Sequence, residues 1–371
     1  MVSDSRAEYE AGRRHDRYSR PVDNRFAYEP TARENRRVDK IRVGIIGCGG
    51  AATWHALTLA NSAEFEVVGL ADPSKANLER FRSRVPLLAE TPAFDSAEQL
   101  FENAELDAVS VITPHTLHYP IVMNAIKRNL HVLCEKPLVC ESEHARDILR
   151  AADTAGVTVM VSYQRRLDPA YRYMHETITS GALGELRSVV VSCGQRWLEN
   201  TKGTWRQDPA LSGGGMLMDS GSHLVDALLW LVEAPVESVY ALVDNAGSPV
   251  DINTTATLAF AGGIQAQLSV VGDLATQWME TVIVCGTDGV LRYDVDPQHP
   301  WRTGQVLRFH GREATRPLEL RQGPDIHEAW LAAIRGEAPN PSPVASAVRV
   351  AELTEAIYRS AREQASVRLS T

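Results

Sequence analysis

The chain has no run of about 18 consecutive apolar residues, the length a membrane-spanning helix needs, which argues against a helical membrane protein. Cysteine is scarce: Cys48, Cys134, Cys140, Cys193 and Cys285 are odd in number, scattered, and never spaced as C-x-x-C. That pattern argues against a disulfide framework or a zinc site and points to a reducing, cytoplasmic compartment. Aliphatic residues are almost missing from Met1 to Lys40, and with them the apolar stretch of a secretory signal. The segment is instead dense in charge, with ten Lys and Arg interleaved among eight Asp and Glu. Those acids count against a basic nucleic-acid arm and against a mitochondrial targeting peptide, so residues 1–40 read as a poorly ordered or partner-draped extension. The whole chain carries a net charge of −9 and this extension +2, which leaves −11 on the body. A body of that sign repels nucleic acid and anionic membranes, and a small-molecule partner fits it better.

What is present is enough chain for two domains of ordinary size, since 371 residues exceed one ordinary core. From Lys40 short apolar runs alternate with helical patterns. The runs are Ile41 to Ile46, Phe65 to Ala71, Asp107 to Ile112, Leu130 to Cys134 and Val157 to Ser162. Between them lie amphipathic stretches such as Tyr119 to Arg128 and Glu141 to Ala155, the latter closed by Gly156 as a C-terminal cap. Ser96 and Gln99 have the spacing of a capping box. Strand and helix repeated in this way predict an α/β fold with a doubly wound parallel sheet over residues 41–163.

The first run passes straight into Gly47-Cys48-Gly49-Gly50-Ala51-Ala52, of the form G-x-G-x-x-A. Gly47 makes the tight turn, Gly49 lets backbone approach a pyrophosphate, and Ala52 lets helix pack on strand. The phosphates then sit on the helix N-terminus, where free N–H groups point at them. Asp72 ends the next run, where a carboxylate accepts hydrogen bonds from the adenosine ribose and repels the extra phosphate of NADP. NAD is the expected cofactor over NADP, although Asp72 also reads as a turn residue before Pro73, and Lys75 nearby softens the discrimination.

The fifth run ends in Cys134-Glu135-Lys136-Pro137, which delivers Lys136 to the carboxyl edge of the sheet, where ligands bind. An ammonium there stabilises a developing alkoxide or, desolvated, acts as a base. The proline makes the Lys136–Pro137 bond a candidate for the cis form. Much later, Ser212 to His223 includes three consecutive glycines and leads into the apolar segment Leu224 to Leu231. A helix starting near Asp219 would put Asp219 and His223 one turn apart on one face, an acid and imidazole pair. Asp219 as a plain helix cap is the alternative; a metal pair is a third, but it lacks further ligands.

These residues together resemble the glucose-fructose oxidoreductase, inositol dehydrogenase and rhizopine-catabolism group, the Gfo/Idh/MocA family. The resemblance rests on the Gly47 to Ala52 turn, Ala71-Asp72, Thr113-Pro114-His115-Thr116-Leu117-His118, Glu135-Lys136-Pro137 and Gln164-Arg165-Arg166. It continues through Trp205-Arg206, the Gly213 to His223 run, and Leu331 to Gly336. It implies a Rossmann domain followed by a substrate-binding and oligomerisation domain over 164–371, built on a large, mostly antiparallel open sheet. Segments Leu186 to Cys193, Val236 to Val243, Thr254 to Phe260, Ile264 to Val271 and Thr281 to Val284 read independently as strands.

By the same resemblance Lys136, Asp219 and His223 are catalytic. The cofactor is held by Gly47, Cys48, Gly49, Gly50, Ala51, Ala52, Asp72, Thr113, Pro114, His115, His118, Glu135 and Lys136. Arg166, Trp205 and Arg206 join the three catalytic residues as substrate contacts, with packing or ion-pair roles as the alternative. His115 departs from the Asn that many family members carry after this proline. The implied reaction oxidises a secondary alcohol of a sugar or cyclitol, with His223 tuned by Asp219 and Lys136 on the oxygen; coupled groups leave the formal base open. Two other readings stay open: glycoside cleavage by oxidation and elimination, and a nucleotide-sensing regulator without catalysis. A homodimer or homotetramer is expected from the resemblance.

Overall fold

Short runs of Val, Ile, Ala and Cys that are apolar at nearly every position have no polar face to give to water, so they stack side by side in the interior. In the computed structural model, which describes residues 40–299, 303–317 and 319–369, they do so as one six-stranded sheet. Its strands are β1 (Ile41–Ile46), β2 (Phe65–Ala71), β3 (Ala93–Phe94), β4 (Ala108–Val111), β5 (His131–Cys134) and β6 (Val159–Val161). All pair in parallel in the order β3-β2-β1-β4-β5-β6. Only the two-residue β3, too short to leave a period, is unmarked in the sequence. The expected extension, apart from Lys40, lies outside the described residues.

The connecting helices follow their end signals. Gly156 closes the helix Ser142–Ala155 in the left-handed conformation, φ 67°. Ser96 Oγ accepts from Gln99 N at 3.2 Å, whereas the Gln99 side chain reaches back to Asp95 N rather than to Ser96 N. The strand order reverses between β1 and β4, which opens a crevice at their carboxyl ends. Gly47, Thr113 and Glu135-Lys136 follow β1, β4 and β5 directly, so all of them face that crevice.

The second sheet has nine strands: β7 (Leu186–Gln195), β8 (Val236–Asp244), β9 (Asn253–Phe260), β10 (Gln265–Val271), β11 (Trp278–Gly286), β12 (Val290–Asp294), β13 (Gln305–His310), β14 (Glu313–Thr315) and β15 (Val367–Arg368). Their order is β14-β13-β12-β11-β7-β10-β9-β8-β15, antiparallel throughout except for the β7–β10 pair. The mostly antiparallel open sheet is as expected; β12 to β15, short or at the edges, carried no sequence signal. Alternation along β9 and β10 buries one face, and the helices Ser222–Val232 and Val344–Glu363 pack there.

Two late segments return to the first sheet. Glu355 on the helix Val344–Glu363 accepts from Ser142 N at 2.6 Å and Ser142 Oγ at 2.7 Å. The helix Ile326–Ile334 buries Trp330 completely, stacked on Phe65 with ring centroids 5.7 Å apart. Residues close to the C-terminus therefore complete the core around β1 and β2.

Gly47 turns the chain at φ 92°, and a Cβ there would collide with the Ile112 carbonyl. Gly47→Ala is expected to lower the urea midpoint by an amount worth at least about 1–3 kcal/mol, the cost of a strained backbone alone. Gly49→Ala should leave the midpoint where it is, because a Cβ at Gly49 meets nothing within 4 Å. Equal midpoints for wild type and both variants would remove the steric account of this turn.

Candidate active site

The glycine turn ends at the helix Ala52–Asn61, whose N-terminus has no side-chain cap. Ala52 is fully buried against the sheet, while Gly49, Gly50 and Ala51 are exposed. Beside them lies a cleft of about 250 Å³ lined by Cys48, Gly49, Gly50, Thr53, Asn77, Arg80, Phe81 and Arg84. Thr53 Oγ1 and, just beyond β4, Thr113 Oγ1 are buried without a partner among the described residues. Asp72 accepts from Cys48 N and Ser74 N, both at 2.8 Å, and from Asn77 Nδ2 at 3.3 Å. Uncapped N–H groups, an open glycine face and unpartnered hydroxyls fit a dinucleotide held by its pyrophosphate.

At the end of β5 the Lys136–Pro137 bond is cis, as the sequence allows. Lys136 Nζ lies 2.6 Å from Asp219 Oδ1 and 3.2 Å from the Asp219 carbonyl. Trp197 Nε1 donates to Asp219 Oδ2 at 2.8 Å, Arg206 Nε donates to the same oxygen at 2.9 Å, and His115 Nε2 is 3.7 Å from Oδ1. Burial by itself would raise the Asp219 carboxyl, but Lys136, His115 and Arg206 hold it well below the usual carboxylate range. Trp197 is a site residue that no spacing in the sequence marks.

The acid and imidazole do not pair as helical spacing predicts. Leu217–Gly221 is a π-turn, in which Gly221 N–H reaches the Met216 carbonyl five residues back, before the α-helix Ser222–Val232 begins. The Asp219 carboxylate is taken up by Lys136, Trp197 and Arg206, and no hydrogen bond joins it to His223 among the described residues. Asp251 anchors this turn, accepting from Gly215 N at 2.6 Å and Leu217 N at 2.8 Å while its carbonyl takes Met216 N at 2.9 Å. A Cβ at Gly215 would strike Asp251, so the last glycine of the run is sterically required.

His223 is buried, its Nδ1 has no partner among the described residues, and its ring is 6.1 Å from that of Tyr163. Burial pushes its pKa well below the ordinary histidine value, and the charges of Lys136 and Arg165 add to this, with Glu135 and Asp219 opposing. It is therefore a neutral imidazole beside a cation.

The remaining candidates divide. His115 bonds the Ser212 carbonyl through Nδ1 at 2.9 Å and meets the Trp205 ring edge-on at 4.8 Å. The Arg206 guanidinium lies 4.5 Å over the Trp205 ring, so Trp205, Arg206 and His115 gather around Asp219. Arg166 does not join them: its guanidinium is paired with buried Asp226 at 2.8 Å and bonds the Pro341 carbonyl. His118 is fully buried, its two ring nitrogens 2.8 and 2.9 Å from the Pro137 and Thr113 carbonyls, and the single N–H of the neutral ring serves one of them. Glu135 faces His55 at 3.0 Å and Lys136 N at 3.2 Å. No group of three or more His, Cys, Asp and Glu among the described residues is placed to hold a metal ion. Nor is any described helix long and apolar enough to cross a membrane.

The sheet order, the glycine turn at the switch point and the charged cluster beside it define an oxidoreductase built on an NAD-binding Rossmann fold. Residues 41–163 match the family model described as the oxidoreductase family with NAD-binding Rossmann fold, and 171–292 match the GFO/IDH/MocA C-terminal domain. The chain belongs to the Gfo/Idh/MocA family of oxidoreductases. It is 31% identical to 1,5-anhydro-D-fructose reductase of Ensifer adhaerens over 64% of this chain and 71% of that protein. To scyllo-inositol 2-dehydrogenase (NADP(+)) IolW of Bacillus subtilis it is 26% identical over 90% and 97%. The crystal structure of the WlbA dehydrogenase from Bordetella pertussis in complex with NADH and UDP-GlcNAcA superposes with a TM-score of 0.79 at 25% identity, covering 90% of this chain and 99% of that one.

Burial, with the neighbouring His115 adding, pushes His118 down to about 4, and its two carbonyl partners only partly oppose this. The folded state refuses a proton that the unfolded chain takes near pH 6.5, so this contribution is complete above 6.5 and is lost as the pH falls toward 4. It amounts to about 3 kcal/mol at most. His118→Gln should flatten the decline of unfolding free energy between pH 6.5 and 4.5; an unchanged slope assigns the decline to other groups.

Proposed function

We propose that this protein is an NAD-dependent dehydrogenase that moves a hydride between nicotinamide and a secondary alcohol carbon of a sugar, cyclitol or related polyol. The observation that carries the reading is the buried Lys136–Asp219 pair at 2.6 Å, which joins the lysine loop after β5 to the glycine-rich turn, with the unpartnered imidazole of His223 one turn further on.

The bound dinucleotide supplies the hydride acceptor. The Gly47 to Ala52 backbone holds its pyrophosphate at the helix N-terminus, with Thr113, Pro114 and Glu135 further along the crevice, and Asp72 accepts from the adenosine ribose. Lys136, positioned by Asp219, donates to the substrate oxygen and stabilises negative charge as the hydroxyl ionises. His223, neutral in its buried setting, accepts the hydroxyl proton, and the lysine charge that depresses its basicity is spread onto the oxygen as that charge develops. Arg206 and Trp205 flank the same carboxylate and present a donor and a ring face to a polyol. The names of the similar proteins, an inositol dehydrogenase and an anhydrofructose reductase among them, support a polyhydroxylated substrate.

Asp72 supports NAD over NADP, since a ribose phosphate would face its carboxylate. Arg80 and Arg84 line the same cleft and favour the phosphate, so the cofactor choice turns on Asp72. A homo-oligomer formed through the open face of the second sheet is part of this proposal, supported by exposed Tyr240, Leu242 and Met279.

NADH formation across a panel of cyclitols, free sugars, sugar acids, glycosides and nucleotide-linked sugars tests the reading directly. Net NADH with one class supports it, release of an aglycone without net NADH replaces it by oxidation and elimination, and silence across the panel favours a sensing role. Lys136→Met should abolish turnover while NADH binding stays measurable, and lost binding would move Lys136 to the cofactor pocket. His223→Ala is expected to cost about 100- to 10,000-fold in kcat, the usual worth of a positioned acid or base. Asp72→Ser should relax the ratio of NAD to NADP use; a constant ratio refutes the ribose assignment.

A further inference from the structure

Glu135, next to Lys136, is the inner end of a buried line of titratable side chains that the chemistry above does not use. Glu135 Oε1 lies 3.0 Å from His55 Nε2, and His55 Nδ1 lies 3.0 Å from His327 Nε2. His327 Nδ1 then faces Asp325 Oδ1 at 3.6 Å. Both imidazoles are 1% exposed, whereas the Asp325 side chain is 44% exposed at the N-terminus of the helix Ile326–Ile334. Trp54 packs against both rings, with centroids 4.6 and 5.2 Å away. The line thus runs from solvent to the lysine loop through two rings shielded by protein.

Hydrogen counting sets its direction. Burial raises Glu135, but His55 and Lys136 outweigh that and hold it down to about 2, so it is ionised and accepts from His55 Nε2–H. When both rings are uncharged each has one N–H; that of His55 sits on Nε2 toward Glu135, which leaves its Nδ1 bare to accept from His327 Nε2–H. His327 Nδ1 is then bare as well, and it is indeed buried without a hydrogen-bond partner among the described residues. Its separation from Asp325 is slightly too long for a hydrogen bond and closes once that nitrogen carries a proton. Two buried imidazoles where apolar side chains would fill the space are costly to keep unless the polarity has a use.

We propose that Asp325, His327, His55 and Glu135 form a proton relay that connects solvent to the Lys136 and His223 site. This rests on the dehydrogenase reading above. When a carbonyl is reduced, one proton enters at His327 Nδ1, one passes from His327 Nε2 to His55 Nδ1, and one passes from His55 Nε2 to Glu135 Oε1. Neither ring keeps a net charge, and Glu135 holds the proton only in passing, before whichever of Lys136 and His223 has protonated the new hydroxyl takes it. Both rings end this step as Nδ1–H tautomers, and alcohol oxidation, which sends its proton out along the same line in reverse, restores the Nε2–H form. Asp325 and His327 act through others and are positioning and conducting residues, not contacts of substrate.

Two experiments test the relay. In the cofactor-free protein, histidine 15N NMR should show both His55 and His327 as Nε2–H tautomers; an Nδ1–H tautomer on either ring overturns the assigned direction, whatever the substrate proves to be. In single turnovers reducing the ketone of whichever polyol the panel identifies, hydride transfer is followed at the nicotinamide absorbance and proton uptake with an indicator dye. Wild type should show the two together, and His327→Gln should delay uptake behind hydride transfer by about tenfold or more, with added imidazole restoring it. Asp325→Asn, which keeps the helix cap but loses the charge, is the second variant, and NADH binding reports that both variants are folded. Uptake that keeps pace with hydride transfer in both variants overturns the relay. A panel in which no polyol reduces NAD instead overturns the dehydrogenase reading, with the tautomer assignment still decided by NMR.

Discussion

The buried carboxylate of Asp219 is the constraint around which the site is organised. An ion pair out of water stabilises nothing unless the remaining lone pairs are filled, and here they are. Lys136 takes one oxygen at 2.6 Å, Trp197 and Arg206 take the other, and His115 stands 3.7 Å away. These partners come from the lysine loop after β5, the segment after β7, the turn before the glycine run, and the loop after β4. Losing the carboxylate would leave a lysine, an arginine and an indole N–H without their common acceptor. The positions of the ammonium, the guanidinium and the indole thus follow from one acid.

That acid is placed by a second one. Asp251 gathers the amides of Gly215 and Leu217, and Tyr358 donates to it at 2.6 Å. Within the π-turn that follows, the Asp219 carboxylate meets Lys136, and His223 Nδ1 in the next turn has no partner among the described residues. Acid and imidazole are thus not bonded to each other: the cation is held and the imidazole stays neutral, the two states that the proposed proton transfer uses.

Lys136 and Glu135 are adjacent in sequence yet hold different partners. Lys136 reaches across to the glycine-rich turn, whereas Glu135 meets His55 of the helix Ala52–Asn61 and, through it, His327. The return of residues 325–334 to the first sheet therefore does more than complete the core around Trp330. It brings an exposed carboxylate to the far end of a buried line of imidazoles.

The amino-acid sequence alone determined what depends on near neighbours. Apolar runs without a polar face could only become interior parallel strands, the Gly47 turn admits no side chain, and the lysine after β5 is carried to the ligand edge by the sheet itself. The family likeness was legible in those same local motifs. What tertiary structure decided are the pairings between distant residues: Arg166 with Asp226, Asp219 with Trp197, and His55 with His327, separated by 272 positions. No period or spacing encodes them, because a side chain's partner is chosen by which surfaces meet when helices and sheets pack.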